Sequence, residues 1–340
     1  MADELIETSP QTIAIRNSGP IIPAIIADAG DAAARRFLEF FTATIRNRNT
    51  RAAYAHAVAR FLAWCEGHKL SLRDIEPIHV AAYIESHPGS APTIKQHLAA
   101  IKMLFDWLVT GQVVPVNPAA AVRGPKHVVK KGKTPVLSAD DARTLLDSIP
   151  LRIGPEPKEG EEDKRPPSLI GLRDRALIAV MVYSFARIGA VVGMQGDDYY
   201  QNGKRWYLRL HEKGGKFHEL PVHHNAEAYL DAYRDAAGIA EDRKAPLFRS
   251  IPGKAGVLTS EPLDRRNAWD MVKRRAKAAG LSHRLSNHSF RGTGITTFME
   301  CGGTLERAQQ IAGHESPKTT KLYDRSNDDV TLDDIERIVI

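Results

Sequence analysis

The break between residues 123 and 133 constrains the fold more than any other feature. Arg123–Lys133 carries Arg123, Lys126, Lys130, Lys131 and Lys133 with no acidic residue, and Gly124, Pro125 and Gly132 interrupt it. Proline removes a backbone donor and glycine raises the entropy cost of order, so no regular element runs through this stretch. The chain therefore reads as two folded units joined by a cationic strap. A length of 340 residues suits that division. The boundaries are 1–30 for a flexible N-terminal arm, 31–122 for a helical domain, 123–136 for the basic linker and 137–340 for a second domain.

Before the break the periodicity is helical. Leu38, Phe41 and Ile45 recur at spacings of three and four, and Ala57, Phe61 and Cys65 recur every four. Asn49-Thr50 is expected to cap the helix that ends near Gly67. A shorter helix after Pro77 turns Val80 and Ile84 inward, and Pro92-Thr93 opens another that carries Leu98, Ile101, Phe105 and Leu108. After the break, Ser138 caps a helix with Asp140 and Asp141 in its first turn, where the dipole favours anions. The Pro/Gly-rich charged segment 154–167 is a surface loop, and Leu172–Tyr183 is a deeply buried helix. Arg205–Leu210 and Phe217–Val222 alternate like two strands around a Lys213-Gly-Gly-Lys216 turn. A strongly basic helix follows over Arg265–Gly280. The whole is mainly α, with a small antiparallel β-sheet in the second domain.

Composition excludes several classes. Cys65 and Cys301 form no C-x-x-C pair, which argues against a thiolate zinc site and a disulfide framework. The run Ile21-Ile22-Pro23-Ala24-Ile25-Ile26 is too short to span a bilayer and has no basic segment before it. A cytoplasmic protein without metal or membrane is expected. Lys plus Arg exceed Asp plus Glu by 47 to 41, a mild excess that permits a polyanionic partner without requiring one.

Several polar residues stand where a structural role explains them poorly. Arg187 follows the buried helix closely, and arginine is seldom buried without an anion. His288 and Arg291 lie three apart on the first turn of an apolar helix, on one face, with Phe290 turned inward. Gly313 stops one helix and Ser316-Pro317 starts another, placing His314 at the break and Tyr323 on the helix after it. Tyr323 is one of nine tyrosines and means little alone.

In order, Arg187, Lys213, His288-x-x-Arg291, Gly313-His314 and Tyr323 resemble the signature of the tyrosine recombinase, or phage integrase, family. Tyr183-Ser-Phe-Ala-Arg187-Ile-Gly-Ala resembles the family's first-arginine motif, and Lys213 in Glu-Lys-Gly-Gly-Lys matches its hairpin lysine. The resemblance implies a two-domain DNA clamp, with a core-binding helical domain, a catalytic domain and a tail helix. Leu332, Ile335, Ile338 and Val339 would form the stripe by which that helix enters a neighbouring protomer. One position departs: three residues after Arg187, where the family carries an acid, stands Ala190. Asp174 and Glu219 are the sequence candidates to replace it.

The implied activity is site-specific cutting and rejoining of DNA through a 3′-phosphotyrosine, with Tyr323 as nucleophile. Arg187 and Arg291 would hold the phosphate oxygens, because a guanidinium matches them in pairs and stays charged. His288 would be the base, Lys213 the general acid and His314 a hydrogen-bond donor. The ester stores the broken bond's energy, so no cofactor is expected. Lys213-Gly-Gly-Lys216 lacks the P-loop spacing. Arg51, Tyr54, Lys95, Lys102, Lys126, Lys130, Lys131, Arg274 and Arg275 are expected to face DNA. Double-stranded target sites, a tetrameric synapse of identical subunits and a DNA-bending or excisionase accessory protein are the expected partners, in the nucleoid. Type IB topoisomerase-like relaxation, or DNA binding with impaired catalysis, are the alternatives.

Overall fold

A computed structural model describes residues 22–127, 132, 134–158, 160–212, 217–252 and 256–324. The chain divides into two compact units, Met1–Val128 and Val129–Ile340.

The first unit is helical: α1 (Ala24–Ala27), α2 (Asp31–Glu39), α3 (Arg48–Gly67), α4 (Pro77–Glu85) and α5 (Ala91–Thr110). A π-helical turn over Phe40–Thr44 continues α2 and rotates Phe40 and Phe41 into the core beside Phe37. Ala57, Phe61 and Cys65 on α3 meet Leu98, Ile101, Phe105 and Leu108 on α5, all buried in one cluster. The cap of α3 lies two residues earlier than the sequence implies. Asn47 accepts from the backbone N–H of Asn49 and Thr50, because its side chain reaches both free donors of the first turn. Residues 24–27, expected within a flexible arm, are instead folded. Ile25 and Ile26 of α1 are buried in the core, and the Ile25 N–H donates to Glu66 at 3.0 Å. Residues 1–21 lie outside the described residues.

The second unit begins with α6 (Ala139–Asp147), capped by Ser138, and α7 (Leu169–Tyr183), capped by Ser168. Helix α7 is the spine, buried from Leu172 to Met181 except at half-buried Arg175. It buries charge as well. Asp174 is fully buried between Arg173 at 2.8 Å and Arg275 at 2.9 Å, which balances the carboxylate on both sides. After α8 (Ile188–Val191) come β1 (Tyr199–Asn202), β2 (Arg205–His211) and β3 (Phe217–Pro221), an antiparallel sheet ordered β1-β2-β3. The register sets Leu208 opposite Leu220 and Leu210 opposite His218. Strand β1 has no counterpart in the two-strand reading of the sequence. Asn202-Gly203, with Gly203 at φ 61°, opens the tight turn that joins it to β2.

The remaining helices are α9 (His224–Ala237), α10 (Arg265–Ala278), α11 (Asn287–Glu300), α12 (Leu305–Ala312) and α13 (Pro317–Lys321). Gly294 lets α11 approach α7 closely. A Cβ there would stand 2.1 Å from the Val182 carbonyl oxygen and 2.6 Å from the Phe185 ring. That contact fixes where the residues at the start of α11 face.

Candidate active site

The site is assembled at the ends of α7, α11 and α12. Past Tyr183, Phe185 adopts φ 54°, an unusual conformation for a bulky residue. Its carbonyl oxygen accepts from Nη1 of Arg291. Nη2 of Arg291 donates at 2.5 Å to the carbonyl of Ala312, at the end of α12. Arg291 is 2% exposed and makes no ion pair with a described residue. Burial, and then the neighbouring Arg187, push its pKa down to about 10, so it stays charged at neutral pH. A buried cation whose partners among the described residues are two carbonyls is poorly balanced until an anion reaches it.

Arg187 takes the N-cap position of α8, and its side chain is 38% exposed. Nη1 donates to Oε2 of Glu212 at 2.6 Å. Glu212 was not among the expected site residues. The strand pattern that buries Leu208 and Leu210 continues to Glu212, whose side chain is 8% exposed. The two candidates proposed to replace the acid at Ala190 are corrected by their partners. Asp174 is saturated by Arg173 and Arg275, and Glu219 pairs with Arg209 at 3.0 Å. Ala190 itself is buried in the unit's core.

His288, an exposed residue, lies on the first turn of α11. Local desolvation, then the charges of Arg291 and Arg187, hold its pKa below the ordinary histidine value. Gly313 caps α12 in the left-handed conformation and turns the chain so that His314 enters the site, 8% exposed. Nδ1 of His314 pairs with the buried Thr320 hydroxyl at 2.8 Å, which fixes the ring's orientation. Burial, then Arg291 and Arg187, push its pKa down to about 4, so the ring is neutral at pH 7.

Tyr323 follows α13 rather than lying on it, since that helix ends at Lys321. Its ring lies nearly parallel to that of His314, with centroids 6.2 Å apart and planes at 9°. Its carbonyl accepts from Thr296 at 2.9 Å, tying the segment to α11. The phenol ring passes so close to Gly292 that a Cβ there would be 3.2 Å from Cε1. Lys213, like Lys130, Lys131 and the stripe Leu332, Ile335, Ile338 and Val339, lies outside the described residues.

The residues expected to face DNA divide into two groups. Lys95, Lys126 and Arg274 are exposed. Arg275 is not available, because its guanidinium is committed to Asp174. Arg51 spends its side chain on the Ile45 carbonyl, Lys102 donates to the Ala120 carbonyl, and Tyr54 packs against the helical core. On α10, Trp269 is 39% exposed between Arg266 and Lys273, whose charges lie 5.5 and 5.0 Å from its ring. Sequence reading passed over this tryptophan, though its spacing of three from Arg266 and four from Lys273 was the available signal. Among the described residues there is no cluster of three or more metal-ligating side chains and no helix long and apolar enough to cross a membrane.

Comparison with known proteins agrees in both units. The phage integrase family profile matches residues 161–329, and the phage integrase N-terminal SAM-like domain matches residues 34–113. The chain is 28% identical over 282 residues to the tyrosine recombinase XerD of Chlorobaculum tepidum, covering 81% of this chain and 85% of that protein. It is 28% identical over 242 residues to the tyrosine recombinase XerC of Shigella flexneri serotype 5b, covering 70% and 71%. Among solved structures, the XerH site-specific recombinase bound to a palindromic difH substrate superposes with a TM-score of 0.64 at 16% identity, covering 87% of this chain and 91% of that one. A lambda integrase dimer bound to a COC′ core site gives 0.60 at 19%, covering 88% and 79%. At such identities the structural likeness speaks to the fold alone, and it is the tyrosine recombinase fold.

Proposed function

The chain belongs to the phage integrase family and is a tyrosine recombinase, and from that premise we propose that Tyr323 is the nucleophile of site-specific DNA cleavage and rejoining. The phenol oxygen attacks a backbone phosphorus. A phosphotyrosine bond forms to the 3′ side, the P–O5′ bond breaks, and the 5′-hydroxyl leaves with a proton. Attack by a 5′-hydroxyl from another strand reverses the chemistry and joins the strands. The observation that carries this reading is Arg291, a buried guanidinium without a carboxylate partner among the described residues, set beside Arg187 and within the field of Tyr323.

The surroundings of the described groups fit the following roles. Arg187 and Arg291 neutralise the non-bridging oxygens, whose charge grows in the transition state. Because its pKa is depressed, His288 is neutral at pH 7 and can accept the Tyr323 proton. His314 is neutral too. Its Nδ1 is occupied by Thr320, which leaves Nε2 to meet the phosphate. Lys213 is the proton donor to the leaving 5′-hydroxyl. Exposed Lys95, Lys126 and Arg274, with Lys130 and Lys131, contact the duplex backbone. XerH and lambda integrase are solved on their DNA sites, the latter as a dimer and as a tetramer on a Holliday junction. This chain likewise acts on double-stranded sites as an assembly of identical subunits.

The test is covalent capture. A pool of randomised duplexes, each nicked so that a short 5′-hydroxyl fragment diffuses away after attack, is incubated with the protein and denatured. Wild type should retain DNA covalently, and Tyr323→Phe should retain none while still binding duplex. An adduct of undiminished yield in Tyr323→Phe rejects the nucleophile. Relaxation of supercoiled plasmid irrespective of sequence would point to topoisomerase-like use of the same site.

A further inference from the structure

We infer that Glu212 is the carboxylate that positions Arg187 for catalysis, supplied from the end of strand β2 in place of an acid at Ala190. This rests on the reading of Arg187 as a phosphate ligand. The Nη1–Oε2 contact is 2.6 Å, in the range of strong charge-assisted bonds. Exposure is divided unequally across the pair. Glu212 is 8% exposed and Arg187 38%, so the carboxylate lies behind the guanidinium and leaves its outer edge open. A carboxylate that competed with phosphate would occupy the open side.

Charge balance gives the same answer. Arg187 and Arg291 repel one another, and Arg187 lowers the pKa of Arg291 while Glu212 raises it. With Glu212 the set carries one net positive charge, which a phosphodiester monoanion cancels. Without it, two like charges face each other whenever DNA is absent, and Arg187 is free to swing into solvent.

The alternative source of a carboxylate is closed. Ala190 ends in a methyl group, and its side of α8 is buried in the apolar core. In the sequence Glu212 immediately precedes Lys213. Glu212 Oε1 is buried with no hydrogen-bond partner among the described residues, as is Nε2 of His218 on the neighbouring strand.

The experiment measures single-turnover adduct formation on a nicked duplex selected by wild type from the random pool. Glu212→Gln keeps the shape and removes the charge. It is expected to slow cleavage about 10- to 100-fold, the range of one hydrogen bond to a charged group, with duplex affinity and melting temperature near wild type. Arg187→Ala should slow cleavage at least as much, and the double variant no more than Arg187→Ala alone. That non-additivity separates action through Arg187 from independent damage to the fold. Glu212→Asp, which keeps the charge and withdraws it, should fall between wild type and Glu212→Gln and guards against a misfolded amide. Glu219→Gln on the adjacent strand should cleave normally. Wild-type rates in Glu212→Gln, or losses that multiply in the double variant, overturn the inference while leaving the recombinase reading intact. Failure of wild type itself to form any adduct overturns both.

Discussion

Arg291 donates to the carbonyls of Phe185 and Ala312, one from the turn after α7 and one from the end of α12. Its planar fork is what lets one side chain hold both. A lysine presents a single ammonium and cannot span them. Arg291→Lys should therefore lower single-turnover cleavage by about 100-fold or more while leaving duplex binding within a few-fold, and equal cleavage by the two proteins would reject the fork. His314 is oriented by Thr320 and kept neutral by burial and the two arginines. Thr320→Val removes the orienting hydroxyl without changing bulk much. It should reduce cleavage about 10-fold, at about 1 kcal/mol of stability, the ordinary worth of such a bond. A cleavage rate unchanged in Thr320→Val would show that the ring is positioned by packing alone.

Helix α11 places two glycines at close contacts, and they do different jobs. Gly294 permits close packing on α7, whereas Gly292 permits the Tyr323 ring to lie against the helix. A Cβ at Gly292 would meet Val136 Cγ1 at 2.9 Å and the Tyr323 ring at 3.2 Å, so both must give way slightly. Gly292→Ala is expected to fold and to lose roughly 100-fold in adduct formation through displacement of the nucleophile. Gly294→Ala should instead destabilise the second unit by about 1–3 kcal/mol through overpacking. Melting curves beside adduct yields separate the two, and a Gly292→Ala protein of full activity would remove Gly292 from the site. Such contacts mark the limit of sequence reading. The periodicity of Ala57, Phe61 and Cys65, or of Leu98, Ile101 and Phe105, announces α3 and α5 because each helix buries one face. Arg187, His288, Arg291, His314 and Tyr323 were legible through an ordered signature. Glu212 was not, since its role depends on a strand end meeting the turn after α7, a pairing between residues 25 positions apart. Arg275 misled for a similar reason. A basic helix shows its charges in the sequence, but not which of them folds back onto a buried aspartate.

Across the whole molecule, histidines held neutral occur in both units, and they set how the fold answers to acid. In the helical unit His87 Nε2 lies 3.0 Å from His97 Nδ1, with the Tyr83 hydroxyl 3.2 Å from the same atom. His87 and His97 are 7% and 4% exposed, and a proton on either would face its partner ring and Arg60, with His56 also beside His97. Burial first, and those charges after it, hold His87 below its usual value and push His97 down to about 4. In the second unit His314 also falls to about 4, facing Arg291 and Arg187. Depressed folded values mean that the unfolded chain binds more protons throughout the interval between about pH 6.5 and pH 4. Stability is therefore fully present above that interval, falls as pH drops through it and levels off below. His97 and His314 each contribute on the order of 3 kcal/mol to that loss. The two units should weaken in the same window although they share none of these groups. Urea midpoints measured from about pH 7 down to about pH 5 test this, with Trp64 and Trp107 reporting on the first unit and Trp206 and Trp269 on the second. His97→Gln should flatten the pH response of the first unit alone, and His314→Gln that of the second. A His97→Gln protein whose first unit keeps the full wild-type slope would show that the buried pair does not carry the proton linkage.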